Sequence, residues 1–221
     1  MIYIKRLNFC YIRVPKNASS TIMSFLYNNA CNPAEDVVSR AFEWEDEIFN
    51  KIYHLNCPAL PHSHVDASYV VQTNIVPITA TFTGVIRNPF EKQLSLYLYR
   101  TRNRNYGSIK PSIEDFRSRF IDGVLQDKPQ HMQSQLSFLK VNNKLVGSFW
   151  LFERVEQHLL DFCEEHSIDV TTPMKLLNKS PGNKKDLVEI FYDAKLKSAV
   201  LEAYKEDFEE YDRLKDFYGI R

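Results

Sequence analysis

Three groups of side chains in this 221-residue chain have the types and spacing for anion chemistry. The first is Lys16 with the hydroxyl run Ser19, Ser20 and Thr21, inside Val14-Pro-Lys-Asn-Ala-Ser-Ser-Thr-Ile22. A lysine is a mobile point charge for a phosphate, and hydroxyls add donors around it. The second is Arg87, followed by Asn-Pro-Phe-Glu91 and, about two turns further on, by Ser95. A guanidinium gives a terminal phosphate two parallel hydrogen bonds, although Glu91 is an alternative partner for the same arginine. The third is His62-Ser63-His64-Val65. Histidine titrates near neutrality, which suits a base that removes a hydroxyl proton. With His54 and Cys57 nearby a zinc site is conceivable, but no second cluster stands at ligand spacing, and no metal is expected.

The elements that must hold these groups can be read from pattern. Residues 8–14 are β-branched and aromatic and read as a strand; Ile22, Phe25 and Leu26 fall at helical spacing, so a helix starts near Ser19 or Ser20. Strand, turn and helix is the layout in which backbone N–H groups at a helix N-terminus hold an anion. The turn contains no glycine and its lysine precedes the hydroxyls, so it is not a Walker loop, and by itself it reads first as a capped helix with a surface lysine and only second as a phosphate cradle. Thr79 to Ile86 reads as an interior strand leading to Asn88 as N-cap, Pro89 at the first helical position and Glu91 at the third. The helix behind them carries Leu94, Tyr97, Leu98 and Tyr99, and ends in a basic loop with Arg100, Arg102 and Arg104.

Elsewhere, Asn32-Pro33-Ala34-Glu35 predicts a cap and a short helix through Val37, Val38 and Ala41. Residues 54–64 read as an irregular loop, and 65–72 as either strand or helix. Residues 112–126 and 130–140 read as helices, Val146 to Phe152 as a strand feeding a helix from Glu153 to His166. Asn178 to Lys185 reads as a polar loop, and one long amphipathic helix is predicted from Asp193 to the C-terminus. Strands that each feed a helix predict an α/β fold, a parallel sheet with helices on both faces and ligands at the carboxyl ends of the strands.

The length suits a single domain over 1–221. The 28 basic and 28 acidic residues cancel, so a nucleic-acid partner is not expected and any anion site must be local. The four cysteines show no CxxC spacing and read as reduced thiols, with one disulfide left open by their even number. No h-region or run of 18 apolar residues occurs, so the expectation is a soluble, cytoplasmic protein without a membrane span.

Taken together, the motifs resemble those of sulfotransferases that use 3′-phosphoadenosine 5′-phosphosulfate (PAPS). Residues 14–21 are similar to that family's 5′-phosphosulfate loop. Val85-Ile-Arg-Asn-Pro-Phe-Glu-Lys-Gln-Leu-Ser-Leu-Tyr97 is similar to its 3′-phosphate element. The segment from His62 to Tyr97 looks most like the heparan and uronyl 2-O-sulfotransferases, and 133–139 and 148–156 look like later segments of the family. Residues 31–61 match nothing in it. The resemblance implies a P-loop-NTPase-like sheet flanked by helices, and transfer of a sulfuryl group from PAPS to an acceptor hydroxyl, on a carbohydrate, with PAP as product. Lys16 would steady the leaving phosphate and His64 would be the base, with His62 orienting it or touching substrate. Asn17, Ala18, Ser19, Ser20 and Thr21 would complete the 5′ site, Arg87 and Ser95 would hold the 3′-phosphate, and Lys179 would close over the nucleotide. Arg100, Arg102 and Arg104 would meet an acidic acceptor. The alternatives are a non-catalytic module of the same fold that binds nucleotide or sulfated glycan and, disfavoured by the absent Gly-rich loop, a P-loop kinase.

Overall fold

A computed structural model describes residues 1–38, 64–102, 111–118, 132–177 and 184–220. In chain order the elements are β1 (Ile2–Ile4), β2 (Phe9–Tyr11), α1 (Ser19–Asn29), β3 (Val37–Val38), α2 (Ala67–Gln72), β4 (Thr81–Ile86), α3 (Pro89–Arg102), β5 (Lys140–Val141), β6 (Lys144–Leu145), β7 (Gly147–Leu151), α4 (Val155–Glu165), α5 (Lys184–Phe191), α6 (Ala194–Ala203) and α7 (Lys205–Phe217). They fall into two compact units, Met1–Ile86 with Gln135–Asn178, and Arg87–Ser134 with Lys179–Arg221. No helix among the described residues is long and apolar enough to cross a membrane.

The first unit is built on a five-stranded sheet of order β3-β1-β2-β4-β7. The fold is α/β, but the sheet is mixed, which corrects the parallel sheet expected from the sequence. Strands β2, β4 and β7 run parallel, whereas β1 is antiparallel to both β2 and β3. The reason is local: β1 reaches β2 through the 3-10 turn Lys5–Leu7 and a left-handed Asn8, far too short for a parallel crossover. The helix expected through Val37 and Val38 is also corrected, to a turn and then strand β3. Asn32 Oδ1 accepts the N–H of Ala34 at 3.2 Å, while the buried Asp36 carboxylate accepts the N–H groups of Asn32 and Lys5, each at 2.7 Å. The asparagine-proline signal is therefore used as a turn, and Asp36 ties it to the end of β1.

Side chains alternate across the sheet with period two. Ile2, Ile4, Phe9, Tyr11 and Val85 share one core with Ile22, Phe25 and Leu26 of α1 and Leu159 and Phe162 of α4. Trp150 of β7 packs against that core and stacks on His158 at 5.9 Å, and His158 Nε2 accepts the N–H of Leu151 at 3.1 Å. Burial holds the His158 imidazole below its usual pKa, in keeping with a neutral acceptor. A side chain at Gly147 would meet the Phe82 carbonyl at 2.2 Å, so only glycine lets β7 begin its pairing there. The expected helix over 130–140 is replaced, from Leu136 to Leu139, by a 3-10 turn feeding the β5–β6 hairpin. That hairpin turns on Asn142 and Asn143, both left-handed, as a two-residue turn between right-twisted strands requires.

The second unit is helical. Leu94, Tyr97 and Leu98 of α3 pack with Phe116, Met132, Val188, Tyr192, Leu196, Val200 and Tyr204 in one core. The single C-terminal helix expected from Asp193 is corrected to two, broken at Tyr204. Tyr204 donates its hydroxyl to the Met132 carbonyl, and Lys92, buried beside the Tyr204 ring, donates to the Gln133 carbonyl at 2.8 Å. These contacts hold residues 132–134 to the helices and leave Tyr204 outside helical geometry.

Candidate functional site

The loop after β2 takes a shape that its residue types do not advertise. Ile12 extends the strand by donating to the Thr83 carbonyl at 2.8 Å, and Val14 and Pro15 are buried. Lys16 then adopts φ 66° and Ala18 φ 56°, with Asn17 between them at ordinary negative φ. Alternation of hand is the backbone pattern from which anion-binding concavities of successive N–H groups are built. Glycine usually occupies such positions, because a left-handed non-glycine residue costs about 1–2 kcal/mol.

Asn17 supplies the restraint. Its side chain is fully buried, and Nδ2 donates to the Val85 carbonyl at 2.6 Å and to Gln135 Oε1 at 2.5 Å. The loop is thus pinned to the carboxyl end of β4 by a residue that sequence reasoning placed against the cofactor. Gln135, missed from sequence, is the second anchor; its only signal was membership of the segment 133–139.

Helix α1 starts with Ala18 as its cap, without a side-chain hydrogen bond over the first turn. The ladder opens with Ile22 donating to the Ala18 carbonyl at 3.1 Å, so the N–H groups of Ser19, Ser20 and Thr21 lie ahead of it. Lys16 and Ser20 are partly exposed, while Ser19 and Thr21 are buried. The Thr21 hydroxyl accepts the N–H of Leu177 at 2.9 Å, which leaves its proton for one further bond. A prediction arises here. Ala18→Gly should relieve about 1–2 kcal/mol of left-handed strain and add about 0.4–1 kcal/mol of unfolded-chain freedom. A net gain of up to about 1.6 kcal/mol in urea unfolding is expected, and a net loss would mean that the bend at Ala18 is not strained.

His64 belongs to the same unit. Val65 is buried and Asp66 caps α2 by accepting the N–H of Tyr69 at 2.8 Å, which fixes the backbone beside His64. His64 Nδ1 lies 3.0 Å from the Arg13 carbonyl, three residues before Lys16. A carbonyl oxygen only accepts, so Nδ1 carries the proton and Nε2 is the basic nitrogen. The strand that leads into the loop therefore sets the tautomer of the expected base.

The remaining expected residues belong to the second unit or lie outside the described residues. Asn88 Oδ1 accepts the N–H groups of Phe90 at 3.0 Å and Glu91 at 3.4 Å, the cap expected from sequence. Arg87 is buried, and its Nε and Nη2 donate to Glu91 Oε2 at 3.2 and 2.6 Å. The alternative partner for this arginine is thus engaged. Ser95 is buried two turns along α3, and Arg100 is partly exposed near its end. His62, Arg104, Lys179 and the side chain of Arg102 lie outside the described residues.

Compared with known proteins, the chain matches no family model, no curated protein sequence and no solved structure.

Proposed function

We propose that this chain is a sulfotransferase that moves a sulfuryl group from PAPS to an acceptor hydroxyl, on a carbohydrate. The observation that carries the reading is the Lys16 loop: alternating backbone hand, a lysine and a helix N-terminus in one turn, with His64 hydrogen-bonded to the strand that feeds it. PAPS supplies an activated sulfuryl group whose departure leaves charge on a phosphate oxygen.

Each residue then has a physical task. Lys16 stabilises the charge that grows on the leaving oxygen, and the N–H groups of residues 17–21 hold the 5′ end. His64 Nε2 takes the proton of the acceptor hydroxyl. Arg87 and Ser95 hold the 3′-phosphate, with Glu91 orienting the guanidinium from one side. Asn17 acts through its backbone N–H, since its Nδ2 is committed to Val85 and Gln135 and its Oδ1 can only accept.

Calorimetry with PAP and an acceptor screen with ³⁵S-labelled PAPS test the reading together. Arg87→Ala should weaken PAP about 10- to 150-fold, the loss of about 1.5–3 kcal/mol expected for a charge-assisted contact. Unchanged affinity would remove Arg87 from the site. It would then favour a second reading, a nucleotide- or glycan-binding module without turnover, in which the Arg87–Glu91 pair is purely structural.

A further inference from the structure

Arg13 and Tyr11 lie in the segment that leads into the Lys16 loop, apart from the groups assigned to nucleotide or acceptor. They stand two positions apart, on either side of the ladder bond from Ile12 to Thr83; Tyr11 lies in the core shared with α1 and α4, and its hydroxyl and the Arg13 guanidinium are close enough to interact electrostatically. Tyr11 is fully buried and Arg13 is 6% exposed. Tyr11 Oη and the Nε and Nη1 of Arg13 are buried without a hydrogen-bond partner. No ion pair to Arg13 occurs among the described residues, in contrast to Arg87, which holds Glu91.

A guanidinium does not shed its proton at any ordinary pH, so burial cannot be met by neutralisation as it is for lysine or histidine. An uncompensated buried charge is strongly destabilising, and an orphaned hydroxyl beside it adds a further penalty. Burial pulls the Arg13 pKa down and pushes the Tyr11 pKa up, the directions expected where Arg13 lacks a countercharge. The three orphaned atoms can all donate, and among the described residues no carboxylate pairs with them. That set selects an anion; a water molecule would satisfy the donors and leave the charge unbalanced.

We propose that Tyr11 Oη and the Arg13 guanidinium form a resident site for one small inorganic anion of halide size, at the root of the Lys16 loop. Its size follows from burial: all three donor atoms are closed to solvent, which suits a monatomic ion better than a phosphate or sulfate ester. The site is independent of the sulfotransferase reading, because it needs neither nucleotide nor acceptor.

The test uses the full chain without nucleotide, in sodium gluconate at constant ionic strength, titrated with bromide. The unfolding midpoint should rise saturably with bromide, and crystals grown in bromide should show an anomalous peak within hydrogen-bond distance of Tyr11 Oη and Arg13 Nε. Arg13→Met should abolish the bromide response. Tyr11→Phe, which removes one hydroxyl and serves should Arg13→Met fail to fold, should weaken apparent bromide affinity about tenfold, as for one hydrogen bond to a charged group. A midpoint indifferent to bromide, an unchanged response in Tyr11→Phe, or a water at the site would overturn the proposal. Competition between PAP and bromide would also overturn it, by assigning the subsite to the nucleotide. Failure of PAP to bind at all would sink the sulfotransferase reading while leaving the bromide result intact.

Discussion

Lys16→Ala should lower sulfuryl transfer about 100- to 1000-fold, the usual loss when one preorganised donor to a developing oxyanion is removed. PAP affinity should fall less than tenfold, because the backbone N–H groups of residues 17–21 remain to hold the 5′ end. The asymmetry is the point: a lysine whose partner charge peaks in the transition state contributes more to turnover than to ground-state binding. Alanine suits the test because Ala18, two residues away, already adopts a left-handed backbone. Turnover measured with ³⁵S-labelled PAPS, beside calorimetry with PAP, separates the two quantities. Equal losses in both would assign Lys16 to binding alone.

Replacing His64 should cost about 100- to 10,000-fold in turnover, the range for a positioned general base. His64→Asn is the informative variant, because its amide N–H can take the place of Nδ1 and donate to the Arg13 carbonyl while offering no basic nitrogen. It should keep the stability and PAP affinity of the wild type and lose transfer. His64→Ala should lose transfer and, in addition, about 1 kcal/mol of stability with the hydrogen bond. Transfer that survives in His64→Asn would show that the proton leaves by another route.

Much of the site's scaffold was legible in the sequence because the signals are local. The apolar run before Val14, the helical spacing from Ile22, and the Asn88-Pro89-Glu91 cap each depend on a few neighbouring residues, and each stands where expected. The handedness of the loop was not legible, since Lys16 and Ala18 carry no preference for positive φ. Their geometry is imposed by Asn17 reaching Val85 and Gln135, contacts across 68 and 118 residues. Strand β1 was not read from the sequence at all, and its antiparallel pairing depends on a three-residue turn and not on strand composition. The break at Tyr204 lacks a proline or glycine to announce it and depends on the Met132 carbonyl. Arg13 did leave a trace, a lone cation in the apolar run from Phe9 to Val14, and burial gives that trace its meaning.

The Asn17 anchor has a thermodynamic corollary. A turn built from lysine, asparagine and alanine has less conformational entropy in its unordered state than one built from glycines, and here its shape is already fixed by buried hydrogen bonds. An anion entering it would immobilise little new backbone, so association through this loop should proceed with a small ordering penalty and little induced change in the loop.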